Sequence, residues 1–127
     1  MSTPHGSEVR RIVPDLTTTR PGDLRDFYTG LLGLTVAMDQ GWALGLVSET
    51  NPTAQLVIFD QEQATERQPD ISIEVHDVDS VYATARRLGV PIPYEIRNEP
   101  WGVRRFFVTD PDGRLINILS HSGDSGS

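Results

Sequence analysis

Three polar side chains recur at every second position along Asp70-Ile71-Ser72-Ile73-Glu74-Val75, where polar and apolar residues alternate without a break. Successive side chains of an extended strand point to opposite faces. Asp70, Ser72 and Glu74 therefore share one face and Ile71, Ile73 and Val75 the other. The same parity applied to residues 12–17 puts Val13, Asp15 and Thr17 together, with Ile12, Pro14 and Leu16 turned toward a helix. Carboxylates so placed could do either of two things. Crowded into an apolar hollow, Asp15, Asp70 and Glu74 would push one another's pKa values apart. One would stay protonated and one ionised near neutrality, as general acid–base catalysis requires. Alternatively they only orient a ligand, with a cationic one held by charge-assisted hydrogen bonds. Trp42, Tyr94, Trp101 and Phe107 are candidate walls for such a site, adding stacking and cation–π attraction. Trp101 lies between Pro100 and Gly102 in a loop, where stacking on a ligand and packing against a partner subunit both account for it. Trp42 opens a strand and serves equally as core or interface.

Other chemistries are excluded or unsupported. The chain has no cysteine, so disulfides and thiolate chemistry are absent. All eleven basic residues are arginine, which excludes a lysine Schiff base. His5, His76 and His121 are scattered and show no metal-ligand spacing, although His76 or His121 could act as an acid or base. Eighteen acidic residues give a net charge of −7, which argues against nucleic acid or an anionic membrane as partner and favours solubility. No apolar run approaches the ~20 residues needed to span a bilayer. Residues 1–8 lack the basic and apolar regions of a secretory signal, so the expected address is the cytoplasm.

At 127 residues the chain fits one domain. Its pattern runs strand, helix, three strands, and then the same again. The first module, about 10–60, has a strand near 11–18 and a helix over 22–32. Leu24, Phe27, Tyr28, Leu31 and Leu32 form one stripe of that helix, which Gly33 ends. Strands follow over 34–38, 42–48 and 54–59. The second module, about 70–121, has a strand over 70–75 and a helix over 79–88 with Val81, Tyr82, Ala85 and Leu88 on one stripe. Strands over 94–98, 103–109 and 115–120 complete it, the last two joined by the turn Asp110-Pro111-Asp112-Gly113. The small, polar segments 1–8 and 122–127 read as flexible tails. Two βαβββ modules in series make the fold class α+β.

The order and spacing of several motifs carry a resemblance. They are Phe27-Tyr28 with Leu31-Leu32-Gly33-Leu34, then Val75-His76-Asp77-Val78-Asp79, then Pro100-Trp101-Gly102-Val103-Arg104, and Asp110 to Asn117. Over residues 10–121 the chain resembles the vicinal oxygen chelate superfamily of glyoxalases, bleomycin-resistance proteins and extradiol dioxygenases. The resemblance implies two modules whose mixed sheets curl around a shared cavity, commonly in a homodimer. Metal-using relatives place four histidine or glutamate ligands at positions that here fall on Val13, Gln55, Asp70 and Asn117. One carboxylate, two amides and a valine suit no transition metal, so no metal or other cofactor is expected. The expected binding set is Asp15, Thr17, Trp42, Gln55, Asp70, Ser72, Glu74, Trp101, Phe107 and Asn117, with Asp15, Asp70 and Glu74 as catalytic candidates. Resemblance to the metal-free bleomycin-resistance group implies a protein that sequesters a cationic or aromatic natural product. A metal-free isomerase or cyclase using the carboxylates, and a metal-dependent lyase or dioxygenase, are the alternatives.

Overall fold

A computed structural model describes residues 8–64 and 66–121. The expected tails lie outside the described residues, Glu8 excepted, whose carbonyl accepts from the His76 N–H at 2.9 Å. Ten elements follow in the expected order. They are β1 (Val9–Thr18), α1 (Pro21–Leu32), β2 (Thr35–Asp39), β3 (Ala43–Val47), β4 (Gln55–Asp60), β5 (Ile71–Val75), α2 (Val78–Leu88), β6 (Tyr94–Asn98), β7 (Val103–Thr109) and β8 (Leu115–His121). The fold class is α+β, as the alternation of periodicities 2 and 3.6 predicts. The chain divides into two compact units, one of Val13–Asp70 and one of the described residues on either side, so the boundary falls within β1.

In the first unit the strand order is β2-β3-β4-β1, with β4 and β1 parallel and the other pairs antiparallel. Leu44, Leu46 and Ile58 form its core, and Leu24 and Tyr28 of α1 pack against them. The helix stripe is thus only partly used. No residue of α1 is buried, and Phe27, Leu31 and Leu32 are exposed. The expectation that Ile12 and Pro14 lie beneath a helix also fails, since both are exposed. The reason is where α1 lands: its contacts are with the β3–β4 core, leaving the early part of β1 uncovered.

The second unit repeats the plan with strand order β5-β8-β7-β6 and a parallel β5–β8 pair. Ile71, Ile73 and Val75 of β5 lie against the helix side with Phe106, Ile116 and Ile118, as the alternation predicts. Ala85 of α2 is buried there, whereas Leu88, expected on the same stripe, is exposed in the last turn. Asp77 caps α2 by accepting from the Ser80 N–H, and Arg104 on β7 clamps Asp79 with both Nε and Nη2.

The β7–β8 turn depends on two features of its sequence. Gly113 takes φ +85°, a left-handed conformation that strains any residue with a Cβ. Asp110 accepts from the N–H groups of both Asp112 and Arg114 at 2.9 Å. Those bonds, with the Arg114 guanidinium, hold its carboxyl below the usual aspartate range despite a smaller opposing effect of burial.

Fully buried Ser120 ties three segments of the second unit together. Its hydroxyl donates to the Val75 carbonyl at 2.8 Å and accepts from the Val78 N–H at 3.0 Å. That N–H opens α2 and has no partner within the helix. A residue 42 positions away in sequence therefore completes the cap.

Candidate functional site

The expected site residues distribute over the two units. In the first, Asp15 and Thr17 face the same side of β1, opposite Val57 and Phe59 in the parallel register. The Asp15 N–H donates to the Asp70 carbonyl at 2.9 Å, which brings these two residues together. With Leu16, Thr18, Leu24, Phe27 and Tyr28 they line an open groove of about 580 Å³. Asp15 is buried at 5% exposure. Asp70 is half-exposed, with Arg67 Nη2 3.3 Å from Oδ2. Phe27 and Tyr28 meet edge to face with ring centroids 5.0 Å apart.

The hydrophobic stripe pointed to Phe27 and Tyr28 only as core. What makes them groove-lining residues is that α1 commits only part of its apolar surface to the sheet. Trp42 stacks on Phe59 at 5.7 Å between centroids and 15° between planes. Gln55 donates from Nε2 to the Pro52 carbonyl, closing the loop before β4. Neither Trp42 nor Gln55 lines the groove.

In the second unit the sheet face turned away from α2 carries the remaining candidates. Cross-strand pairing sets Ser72, Asn117, Phe107 and Tyr94 in one row across four strands. Asn117 donates from Nδ2 to Ser72 Oγ at 3.0 Å, while its Oδ1 is buried without a hydrogen-bond partner among the described residues. The next row runs Glu74, Leu119, Arg105 and Arg97. Glu74, only 4% exposed, lies between two basic groups. Arg11 Nε is 2.5 Å from Oε1, in contact though not aligned as a hydrogen bond, and His121 Nδ1 is 3.0 Å from Oε2. Glu74 is therefore surrounded by positive or protonatable groups rather than by carboxylates.

The aromatic candidates of this face enclose a guanidinium of the chain itself. Arg105 lies 5.1 Å from the Tyr94 ring centroid, 5.0 Å from Trp101 and 4.8 Å from Phe107. Its Nε donates to Glu99 Oε2 at 2.7 Å. Arg97 lies over the Tyr94 ring at 4.1 Å and donates to the Tyr94 hydroxyl, which in turn donates to Glu99. Burial alone would push the Glu99 carboxyl up. The hydrogen bonds from Tyr94 and Arg105 and the guanidinium charges outweigh it and hold Glu99 below the ordinary glutamate range. Neither Glu99 nor Arg105 was singled out from the sequence. Parity on β7 contained the signal for Arg105, because Phe106 belongs to the helix side and Arg105 and Phe107 must then share the other.

The positions where metal-using proteins of this fold carry ligands do not fit a transition metal. Val13 is buried and offers no donor atom; Gln55 and Asn117 offer amides; Asp70 is ion-paired. Among the described residues no group of three or more histidines or carboxylates is arranged to hold a metal ion. No helix among them is long and apolar enough to cross a membrane.

A family model described as glyoxalase/bleomycin resistance protein/dioxygenase superfamily matches residues 10–118. No curated protein is similar to the chain at a significant level. Among solved structures, an extradiol ring-cleaving dioxygenase from B. fuscum superposes with a TM-score of 0.68 at 21% identity, over 91% of this chain and 34% of that one. A glyoxalase/bleomycin resistance protein/dioxygenase superfamily member from Vibrio splendidus 12B01 gives 0.63 at 15% identity, covering 88% and 98%. Methylmalonyl-CoA epimerase from Mycobacterium tuberculosis gives 0.61 at 19% identity, covering 95% and 92%. At these identities the likeness is one of fold.

Proposed function

The chain belongs to the glyoxalase/bleomycin resistance protein/dioxygenase superfamily, and from that premise we propose that it binds a planar, cationic organic molecule without a metal. The observation that carries this reading is the groove in which buried Asp15 and accessible Asp70 sit beside the Phe27 and Tyr28 rings. Carboxylates supply charge-assisted bonds to a cation, and ring faces supply stacking and cation–π attraction. The exposed Arg67–Asp70 pair is weak enough for a cationic ligand to displace. Sequestration of an antibiotic-like natural product is the role that suits such a site. The exposed Leu31 and Leu32 of α1 support a homodimer, which sedimentation analysis would test.

Titration with proflavine, a planar aromatic cation, tests the binding reading. Asp70→Asn should weaken binding about threefold or more, as expected for loss of one partly exposed charge contact. Equal affinity for the variant and the parent protein would count against it.

The Glu74–His121 pair favours a second reading, a metal-free isomerase or cyclase. A buried carboxylate engaging Nδ1 fixes the imidazole and leaves Nε2 to exchange a proton. Under this reading His121→Gln abolishes turnover of a substrate that still binds; turnover that survives the substitution would eliminate it.

A further inference from the structure

We propose that the aromatic box around Arg105 is an anion subsite, taking the carboxylate or comparable oxyanion of an aromatic ligand. This goes beyond the cation-binding groove and rests on the other unit of the chain.

A guanidinium has five N–H donors in a planar fork. Arg105 uses one, from Nε to Glu99; among the described residues its Nη groups have no hydrogen-bond acceptor. The side chain is only 18% exposed, so water does not surround it freely. The Nη atoms are not fully buried, so an incoming acceptor can reach them. Three rings lie within 4.8–5.1 Å of the group, two of them stacked on each other, so little further ordering is needed when an anion arrives. Bidentate acceptance by a carboxylate matches the fork.

Charge and neighbours agree with this assignment. The cluster holds two guanidiniums, Arg97 and Arg105, against one carboxylate, Glu99. Asn117, a diagonal neighbour of Arg105 on the same sheet face, keeps its Oδ1 buried at 7% residue exposure without a partner among the described residues. That carbonyl oxygen accepts, so it suits a ligand N–H or O–H next to the anionic group. Phe107, paired with Asn117 across the strands, supplies an apolar ring between the two polar contacts. Trp101, 56% exposed, leaves indole surface for a planar ligand.

The test uses 2-naphthoate, its uncharged amide 2-naphthamide, and 3-hydroxy-2-naphthoate. Binding is read by NMR at the indole N–H of Trp101; the chain has two tryptophans, and Trp42→Phe assigns the signals. The proposal expects 2-naphthoate to bind at least about tenfold more tightly than the amide, from charge-assisted bonds. Arg105→Gln should abolish that preference, and Arg105→Lys, which keeps charge but loses the fork, should restore part of it. The hydroxyl of 3-hydroxy-2-naphthoate should tighten binding in the parent protein and not in Asn117→Leu. Equal binding of acid and amide to the unmodified protein would overturn the proposal without requiring any variant to fold. Retained preference in a folded Arg105→Gln protein would overturn it too. Because proflavine reports on the other unit, its binding with no acid preference here would refute this subsite alone.

Discussion

Replacing Ser120 with alanine removes one oxygen atom and strands two backbone groups. Ser120 is completely buried, and its hydroxyl is the acceptor for the Val78 N–H and a donor to the Val75 carbonyl. The Val78 N–H belongs to the first turn of α2, where no intrahelical acceptor exists, and burial denies it water. A buried group left without its partner costs about 1–3 kcal/mol, with the carbonyl nearer the lower end because it has a second lone pair. The sum is about 2–4 kcal/mol, a large part of the roughly 5–15 kcal/mol that holds a domain together. For a chain of this size that lowers the melting temperature by on the order of 10 °C. Urea unfolding followed by circular dichroism measures the change, with an unaltered m-value showing that the unfolded state is unaffected. Ser120→Thr retains the hydroxyl and should lose less stability if the extra methyl fits. A loss below about 0.5 kcal/mol for Ser120→Ala, the range of ordinary surface substitutions, would refute the reasoning.

Three further outcomes follow from the geometry. Gly113→Ala should cost about 1 kcal/mol by denaturant midpoint. The cost is conformational, because among the described residues no atom beyond its chain neighbours lies within 4 Å of where the new Cβ would stand, and the positive φ is strained. Glu99 contributes pH-dependent stability. Its folded-state pKa lies below the unfolded value, so the contribution is complete above the ordinary glutamate pKa of about 4.3 and is lost as pH falls through the lower folded value. Glu99→Gln should therefore flatten the acid limb of the stability curve, and an unchanged limb would show that the cluster does not hold the charge. Arg104→Gln removes the bidentate clamp on Asp79 at the start of α2 and should cost about 0.5–1 kcal/mol at low salt, shrinking as salt is added.

Much of the fold was legible in the sequence because its two signals are local. Strict alternation along residues 71–75 set the facing of β5, and Gly33 and Gly89 marked both helix ends, each with positive φ. What sequence reasoning missed depended on where an element lands. Nothing in the α1 stripe reveals that only Leu24 and Tyr28 reach the core, leaving Phe27 to the groove. The partners of Glu74 are equally non-local, since Arg11 and His121 are 63 and 47 positions away in the chain. Glu74, one of three carboxylates that look crowded as a list of inward residues, has Arg11 and His121 beside it instead, and Asp70 has Arg67. Ser120 gave no signal at all, because a serine near a strand end is ordinary until its two backbone partners are known.

In the function proposed above, the groove beside Asp15 and Asp70 holds an organic cation without help from a metal. Calorimetric titration of chelator-treated protein with proflavine, repeated with Mn²⁺ added, tests it most directly. One affinity is expected in both titrations, weakened by Asp70→Asn in each. Binding that appears only when Mn²⁺ is present would contradict it.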